Sequence, residues 1–207
     1  MRRLIANSQP SRAAARLLGN AKSAIVRSRV TLGSIFAIIY LFLARPNSPS
    51  LLAACALLVL TGCAIRTWAS GYLRKGEQLA VGGPYAYVRN PLYAGSFILA
   101  LGFCLILWQH PIPLLAAIVW GIFLIAFGVV YPLKAKSEAA ELRIQFGQTY
   151  EAYRAIVPAF LPLRGRVATE PAQKFSWDVF QQNREYQCLF GSAGVLTLLL
   201  LRYLADV

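Results

Sequence analysis

Residues 113–131 read PLLAAIVWGIFLIAFGVVY, from Pro113 to Tyr131, with no charged side chain. A helix needs about 20 predominantly apolar residues to cross the hydrocarbon core of a bilayer, and this run is close to that length. Working outward, three more apolar stretches of similar character run from Val30 to Ala44, Leu51 to Trp68 and Tyr93 to Gln109, and a shorter one from Cys188 to Leu201. The composition agrees: of 207 residues 57% are hydrophobic and 14% charged, whereas a soluble domain carries about a quarter charged residues. The chain is therefore expected to be all-α, a polytopic transmembrane bundle of about four to five spans in a single domain over residues 1–207. Within it, 1–29 form a basic arm, 30–132 a four-span core, 133–185 a cytoplasmic helical segment and 186–207 a C-terminal apolar helix.

Charge sets the expected orientation. The 21 Lys and Arg against 8 Asp and Glu give a net charge of +13, a balance that in a soluble protein points to nucleic acid. Here the basic residues flank apolar helices, so they read as a topology signal and no nucleic-acid partner is expected. Arg2, Arg3, Arg12, Arg16, Lys22, Arg27 and Arg29 precede the first apolar run without an acid, and no small-residue cleavage site follows, so that run is expected to remain as an anchor. Paired prolines, Pro46 and Pro49, then Pro111 and Pro113, mark the hairpin turns. Counting crossings from a cytoplasmic N-terminus puts the basic connections on one face, which predicts an integral membrane protein with its N-terminus and basic connections on the cytoplasmic side. The last apolar run either crosses or lies against the bundle. Cys55, Cys63, Cys104 and Cys188 all sit in apolar segments without a Cys-x-x-Cys pair, which predicts buried thiols and no metal site.

Two polar blocks interrupt the apolar pattern. The first contains Gly82-Gly83-Pro84-Tyr85-Ala86-Tyr87-Val88-Arg89-Asn90-Pro91-Leu92-Tyr93-Ala94-Gly95 at the start of the third apolar run. Glycines permit a tight turn and close approach, Arg89 offers a planar fork for a carboxylate or phosphate, and Asn90 both donates and accepts. Pro91 suits the first turn of a helix, and the tyrosines carry flat faces with polar tips. In the second block Leu142, Phe146, Tyr150, Tyr153 and Val157 recur every three or four residues, the stripe of an amphipathic helix that Pro158 and Pro162 end. From residue chemistry alone two readings stay open: a ligand-binding turn, or an interfacial loop with an aromatic belt and a snorkelling arginine.

The first block resembles the Gly-Pro-Tyr-x-x-x-Arg-His-Pro-x-Tyr-x-Gly signature of the isoprenylcysteine carboxyl methyltransferase and phospholipid methyltransferase superfamily, with Asn90 in place of His. Glu138, Leu142, Phe146-Gly147, Tyr150, Tyr153, Val157-Pro158, Phe160 and Pro162 resemble that family's second block, with Ala139 in place of its second glutamate. Arg66-x-Trp68-Ala69-x-Gly71-Tyr72-Leu73-x-Lys75 resembles the approach to the first block in bacterial members.

The resemblance implies an integral membrane methyltransferase that binds S-adenosylmethionine at helix ends and cytoplasmic loops, with the cytoplasmic helical segment completing the pocket. No Gly-x-Gly-x-x-Gly opens a βα unit, so a Rossmann sheet is not expected. By matched position Gly83, Pro84, Tyr85, Arg89, Asn90, Pro91, Tyr93 and Glu138 would hold the cofactor, and Arg89 and Glu138 would also be catalytic. Arg66, Trp68 and the Asn183-Arg184-Glu185 cluster are candidates for the substrate. The acceptor implied is lipidated or lipid-like, met at the bilayer surface, with carboxyl O-methylation first and phospholipid N-methylation second. A sterol-type reductase using NADPH and a non-catalytic lipid-binding protein are the remaining readings. His110 lies in the turn on the opposite face and is not expected to act.

Overall fold

A computed structural model describes residues 40–41, 43–108, 111–163 and 173–206. His110, the basic arm and most of the first apolar run lie outside them. The chain divides into two units, Met1–Leu43 and Ala44–Val207. Of the first, only residues 40, 41 and 43 are described, all helical. Every element below belongs to the second, and among the described residues no strand occurs.

Helix α1 runs Pro49–Ser70, α2 Pro91–Ile106 and α3 Pro113–Ile125, each with proline in its first turn, where the missing N–H costs no intrahelical bond. A π-helical turn, Ala126–Val130, carries α3 without a stop into α4, Tyr131–Ile156. The short α5, Trp177–Gln182, is followed by α6, Tyr186–Asp206. Ser176 caps α5, its hydroxyl accepting from the Val179 N–H at 3.4 Å.

Among the described residues three helices are long and apolar enough to cross a membrane: Pro49–Ser70, the continuous Pro113–Ile156, and Tyr186–Asp206. The last apolar run thus has spanning length, although the uninterrupted stretch in its sequence is shorter. Conversely α2, with 16 residues, rises only about 24 Å at 1.5 Å per residue, short of the roughly 30 Å core. Asn90 and Pro91 start it and Leu107 ends it, so the third apolar run is helical over less than its sequence length.

Small residues bring α1 and α2 together. A Cβ on Gly62 would lie 2.6 Å from the Gly95 carbonyl oxygen, and one on Gly95 would lie 2.9 Å from the Gly62 oxygen. Backbone contact of this closeness is the usual driver of helix association in lipid, where apolar burial gains little. By contrast α3 leaves Leu114, Ile118, Ile122 and Leu124 exposed, a surface suited to acyl chains.

The stripe in the second block packs as its spacing predicts: Tyr150, Tyr153 and Val157 are buried with Leu79, and Leu142 and Phe146 lie against them. The helix is interrupted at Gly147, whose φ of 52° and ψ of −125° leave the helical region. Glycine enters that region without steric cost, so the two halves of the stripe can meet one wall at different angles.

Candidate active site

The two polar blocks meet, and backbone carbonyls join them. The Arg89 N–H donates to Pro158 O at 2.8 Å, and its Nε donates to Val157 O at 2.9 Å. Its Nη1 donates to the Tyr150 hydroxyl at 3.4 Å. Asn90 donates twice to Ala159 O, from N at 3.1 Å and from Nδ2 at 3.0 Å. The Tyr153 hydroxyl closes the same seam by donating to Tyr85 O at 2.8 Å. Val157-Pro158-Ala159 therefore lies along the Arg89-Asn90 edge, and much of the polar capacity of those side chains is used in holding it there. Burial, with smaller contributions from Tyr153, Glu185 and Glu138, pushes the Tyr85 phenol well above its ordinary pKa, so it stays neutral.

Glu138 and Tyr93 form a second link. The Tyr93 hydroxyl donates to Glu138 Oε1 at 2.5 Å, and Lys134 Nζ sits 6.0 Å from the centre of the Tyr93 ring. Glu138 reaches this position because the π-helical turn and α4 continue α3 as one rod, which brings residue 138 beside the start of α2.

The Gly82-Gly83 turn is filled from behind. A Cβ on Gly83, at φ +55°, would lie 2.5 Å from the Tyr72 ring, and one on Gly82 would lie 2.7 Å from Gln173 Cβ. These glycines are needed for packing as well as for the turn. Gln173, which sequence reasoning missed, holds the loop: its Oε1 accepts from Val81 N and Gly82 N, both at 2.9 Å, and its Nε2 donates to Leu79 O at 2.7 Å. A lone glutamine outside both motifs carries no sequence signal for that role.

A cavity of about 670 Å³ opens against this seam, within the size range of small-molecule sites. Pro84, Pro91 and Tyr93 from the predicted cofactor set line it, as does Trp68 from the predicted substrate set. Gly83, Tyr85, Arg89, Asn90 and Glu138 do not line it. Tyr87, Phe97, Phe127, Tyr131 and Phe160 complete most of an apolar wall that, among the described residues, contains no Asp, Glu, Lys, Arg, His or Cys. Trp68 and Tyr87, both well exposed, approach with ring centres 6.3 Å apart.

The other predicted substrate residues gather elsewhere. Arg66 faces inward and binds Glu185 with both carboxylate oxygens, Nη2 lying 2.9 Å from Oε1 and 2.7 Å from Oε2. Its Nη1 donates to Ser96 Oγ and to Leu92 O. Asn183 Nδ2 donates to Ser70 O at 2.9 Å and Leu73 O at 2.8 Å, capping the end of α1. Arg184 turns the chain between α5 and α6 with a φ of 57°. The cluster thus joins α1, α2 and the α5–α6 turn, and Arg66, Asn183, Arg184 and Glu185 lie off the cavity wall. The four cysteines are free; Cys55, Cys63 and Cys104 are buried, and Cys188 is half-buried. Among the described residues no group of three or more His, Cys, Asp or Glu could hold a metal ion.

Residues 50–131 match the family model described as phospholipid methyltransferase. Among curated proteins, the chain is 39% identical over 90 residues to the protein-S-isoprenylcysteine O-methyltransferase of Schizosaccharomyces pombe, covering 43% of this chain and 35% of that protein. It is 31% identical over 120 residues to the nickel-cobalt-cadmium resistance protein NccN of Alcaligenes xylosoxydans xylosoxydans, covering 57% of this chain and 53% of that protein. The chain therefore spans only about a third to a half of the curated relatives it matches. No solved structure matches it. Over α1, α2 and α3 the chain is thus similar to the phospholipid methyltransferase family, and over 90 residues to an isoprenylcysteine methyltransferase.

Proposed function

We propose that the chain is an S-adenosylmethionine-dependent methyltransferase that works at the cytoplasmic face of the membrane on a lipidated or lipid-like acceptor, with a carboxylate as the methylated group. The observation that carries this reading is the apolar cavity of about 670 Å³ whose wall includes Pro84, Pro91 and Tyr93 of the motif. A hydrocarbon chain seated there would present its polar end to the seam between the two blocks.

The residues present fit the implied cofactor. Arg89 Nη2 and Glu138 Oε2 have no hydrogen-bond partner among the described residues, while the remaining polar atoms of these side chains are engaged at 2.5–3.4 Å. One cation and one carboxylate match the carboxylate and ammonium of the methionyl group. When bound, S-adenosylmethionine supplies a methyl group already made electrophilic by its sulfonium. The protein is left to orient the nucleophile and exclude water. Tyr93 fixes the Glu138 carboxylate through its hydroxyl, and Arg89 is held by Val157 and Tyr150. A carboxylate acceptor needs no general base, in keeping with a wall that offers none; a protonated amine must first lose a proton.

N-methylation of a phospholipid amine is the second reading. The phospholipid methyltransferase match favours it. So does Glu138, which reaches a wall residue, Tyr93, and would serve as the proton acceptor. Binding of labelled S-adenosylmethionine to the detergent-solubilised chain tests the shared core of both readings. Arg89→Ala and Glu138→Ala are expected to weaken it about tenfold or more, the worth of one charge-assisted hydrogen bond. A wild type that does not bind refutes the proposal.

A further inference from the structure

At the end of the cavity away from the seam the wall is aromatic. α2 runs away from the seam with Tyr93, Ala94, Phe97 and Ile98 on the wall, and the chain approaches the seam through Phe127, Tyr131 and Pro132. Phe97 and Phe127 are thus among the wall residues farthest from the polar blocks. Their rings meet edge to face, with centres 5.3 Å apart. Both touch Phe123, at 5.3 Å and 5.0 Å, which is buried and not part of the wall. Trp120 and Trp108 continue the stack behind Phe123, at 5.7 Å and 5.9 Å.

Phe127 owes its place to the π-helical turn Ala126–Val130. Such a turn inserts a residue into the helical register and re-aims the side chains around it, and such turns recur at functional sites. Here Phe127 stacks flat on Tyr131, with centres 4.5 Å apart and planes 2° from parallel. Tyr131 in turn meets Tyr93 edge-on at 5.1 Å. One row of rings therefore leads away from the motif along the cavity, and Phe127 is its last member on the wall.

We infer that Phe127, braced by Phe97 and Phe123, sets the depth of the cavity and so the length of hydrocarbon chain the acceptor can carry. The inference rests on reading the cavity as the acceptor's. Each methylene that finds room in an apolar site raises affinity about fourfold, and a methylene that meets the ring wall gains nothing. Removing the ring by Phe127→Ala frees the space of about four methylenes toward Phe123. Enlarging it by Phe127→Trp shortens the cavity.

The test is equilibrium binding of radiolabelled straight-chain carboxylates of about ten to twenty carbons to the full-length protein in detergent, with affinity read against length. The wild type is expected to gain about fourfold per methylene and then level off. Phe127→Ala is expected to level off about four carbons later, and Phe127→Trp earlier. Labelled S-adenosylmethionine bound by the same samples reports that each variant is folded. If Phe127→Ala loses that binding, the smaller truncation Phe127→Leu carries the test, with a shift of about one or two carbons expected. Levelling at the same length in all variants overturns the inference while leaving the acceptor reading intact, as does a uniform loss at every length, the mark of a purely structural role. A wild type that binds no chain of any length overturns both.

Discussion

The ion pair between Arg66 and Glu185 bridges 119 residues of sequence with side chains only 21% and 14% exposed. At about 4 Å between charge centres and an effective dielectric of about 20, the attraction is about 4 kcal/mol, offset by loss of hydration on both groups. Removing one partner leaves the other charge in a half-buried, apolar setting. For fully buried pairs that costs about 3–5 kcal/mol; the residual exposure here lowers the expectation to about 2–3 kcal/mol. Glu185→Met and Arg66→Met should each destabilise by about that amount, and the double variant by far less than their sum. The coupling should be at least about 1.5 kcal/mol. Reversible unfolding in mixed micelles titrated with denaturing detergent gives all four corners of the cycle. For a chain of this size each 1 kcal/mol also shifts Tm by about 2–4 °C, so a single variant should fall by about 5–10 °C. Additive effects, with coupling under about 0.5 kcal/mol, would refute the view that these residues serve each other. They would return Arg66 to the set available for the acceptor.

Other expectations follow from single contacts. Gln173→Ala removes three hydrogen bonds from residues 79–82. It should cost about 2–3 kcal/mol locally and raise amide exchange at Val81 and Gly82 at least tenfold, while exchange in α6 stays unchanged. Gly62→Leu forces a side chain into the Gly95 backbone, where even a Cβ comes to 2.6 Å. The α1–α2 packing should fail, seen as loss of monodisperse protein on size exclusion, whereas Gly121→Leu, with open space at its Cβ, should leave it intact. Arg184 holds a left-handed φ of 57°, a conformation that costs a side-chain-bearing residue about 1 kcal/mol, so Arg184→Gly should leave Tm unchanged or raise it by a few degrees.

Much of the architecture was legible because its causes are local. Pro49, Pro91 and Pro113 announce helix starts through a fixed φ and a missing donor. The charge-free run from Pro113 to Tyr131 announces a membrane segment, and the spacing of Tyr150, Tyr153 and Val157 a buried stripe. The site was legible by motif, and less so by role. Arg89 and Asn90 look like ligand-binding side chains, yet the structure gives them the carbonyls of Val157 and Ala159, partners common to every residue and therefore invisible in a pattern of side chains. In sequence Arg66 and the Asn183-Arg184-Glu185 cluster read as separate substrate candidates; only the fold shows that Arg66 and Glu185 neutralise one another. The break at Gly147 and the turn at Ala126–Val130 depend on how α4 meets the Leu79 wall and how the aromatic row stacks, and neither leaves a periodic trace.

The proposed reaction is methyl transfer to a carboxylate on a chain held in the apolar cavity. Its most direct measurement is incubation of the purified wild type with methyl-labelled S-adenosylmethionine and native membrane extract, followed by separation of the labelled lipid-soluble products and mild base treatment. Label released as methanol, and absent from the same reaction with Glu138→Ala, is the predicted result. Base-stable label on an amine would contradict the carboxylate assignment, and no transfer to any lipid-soluble product would contradict the account as a whole.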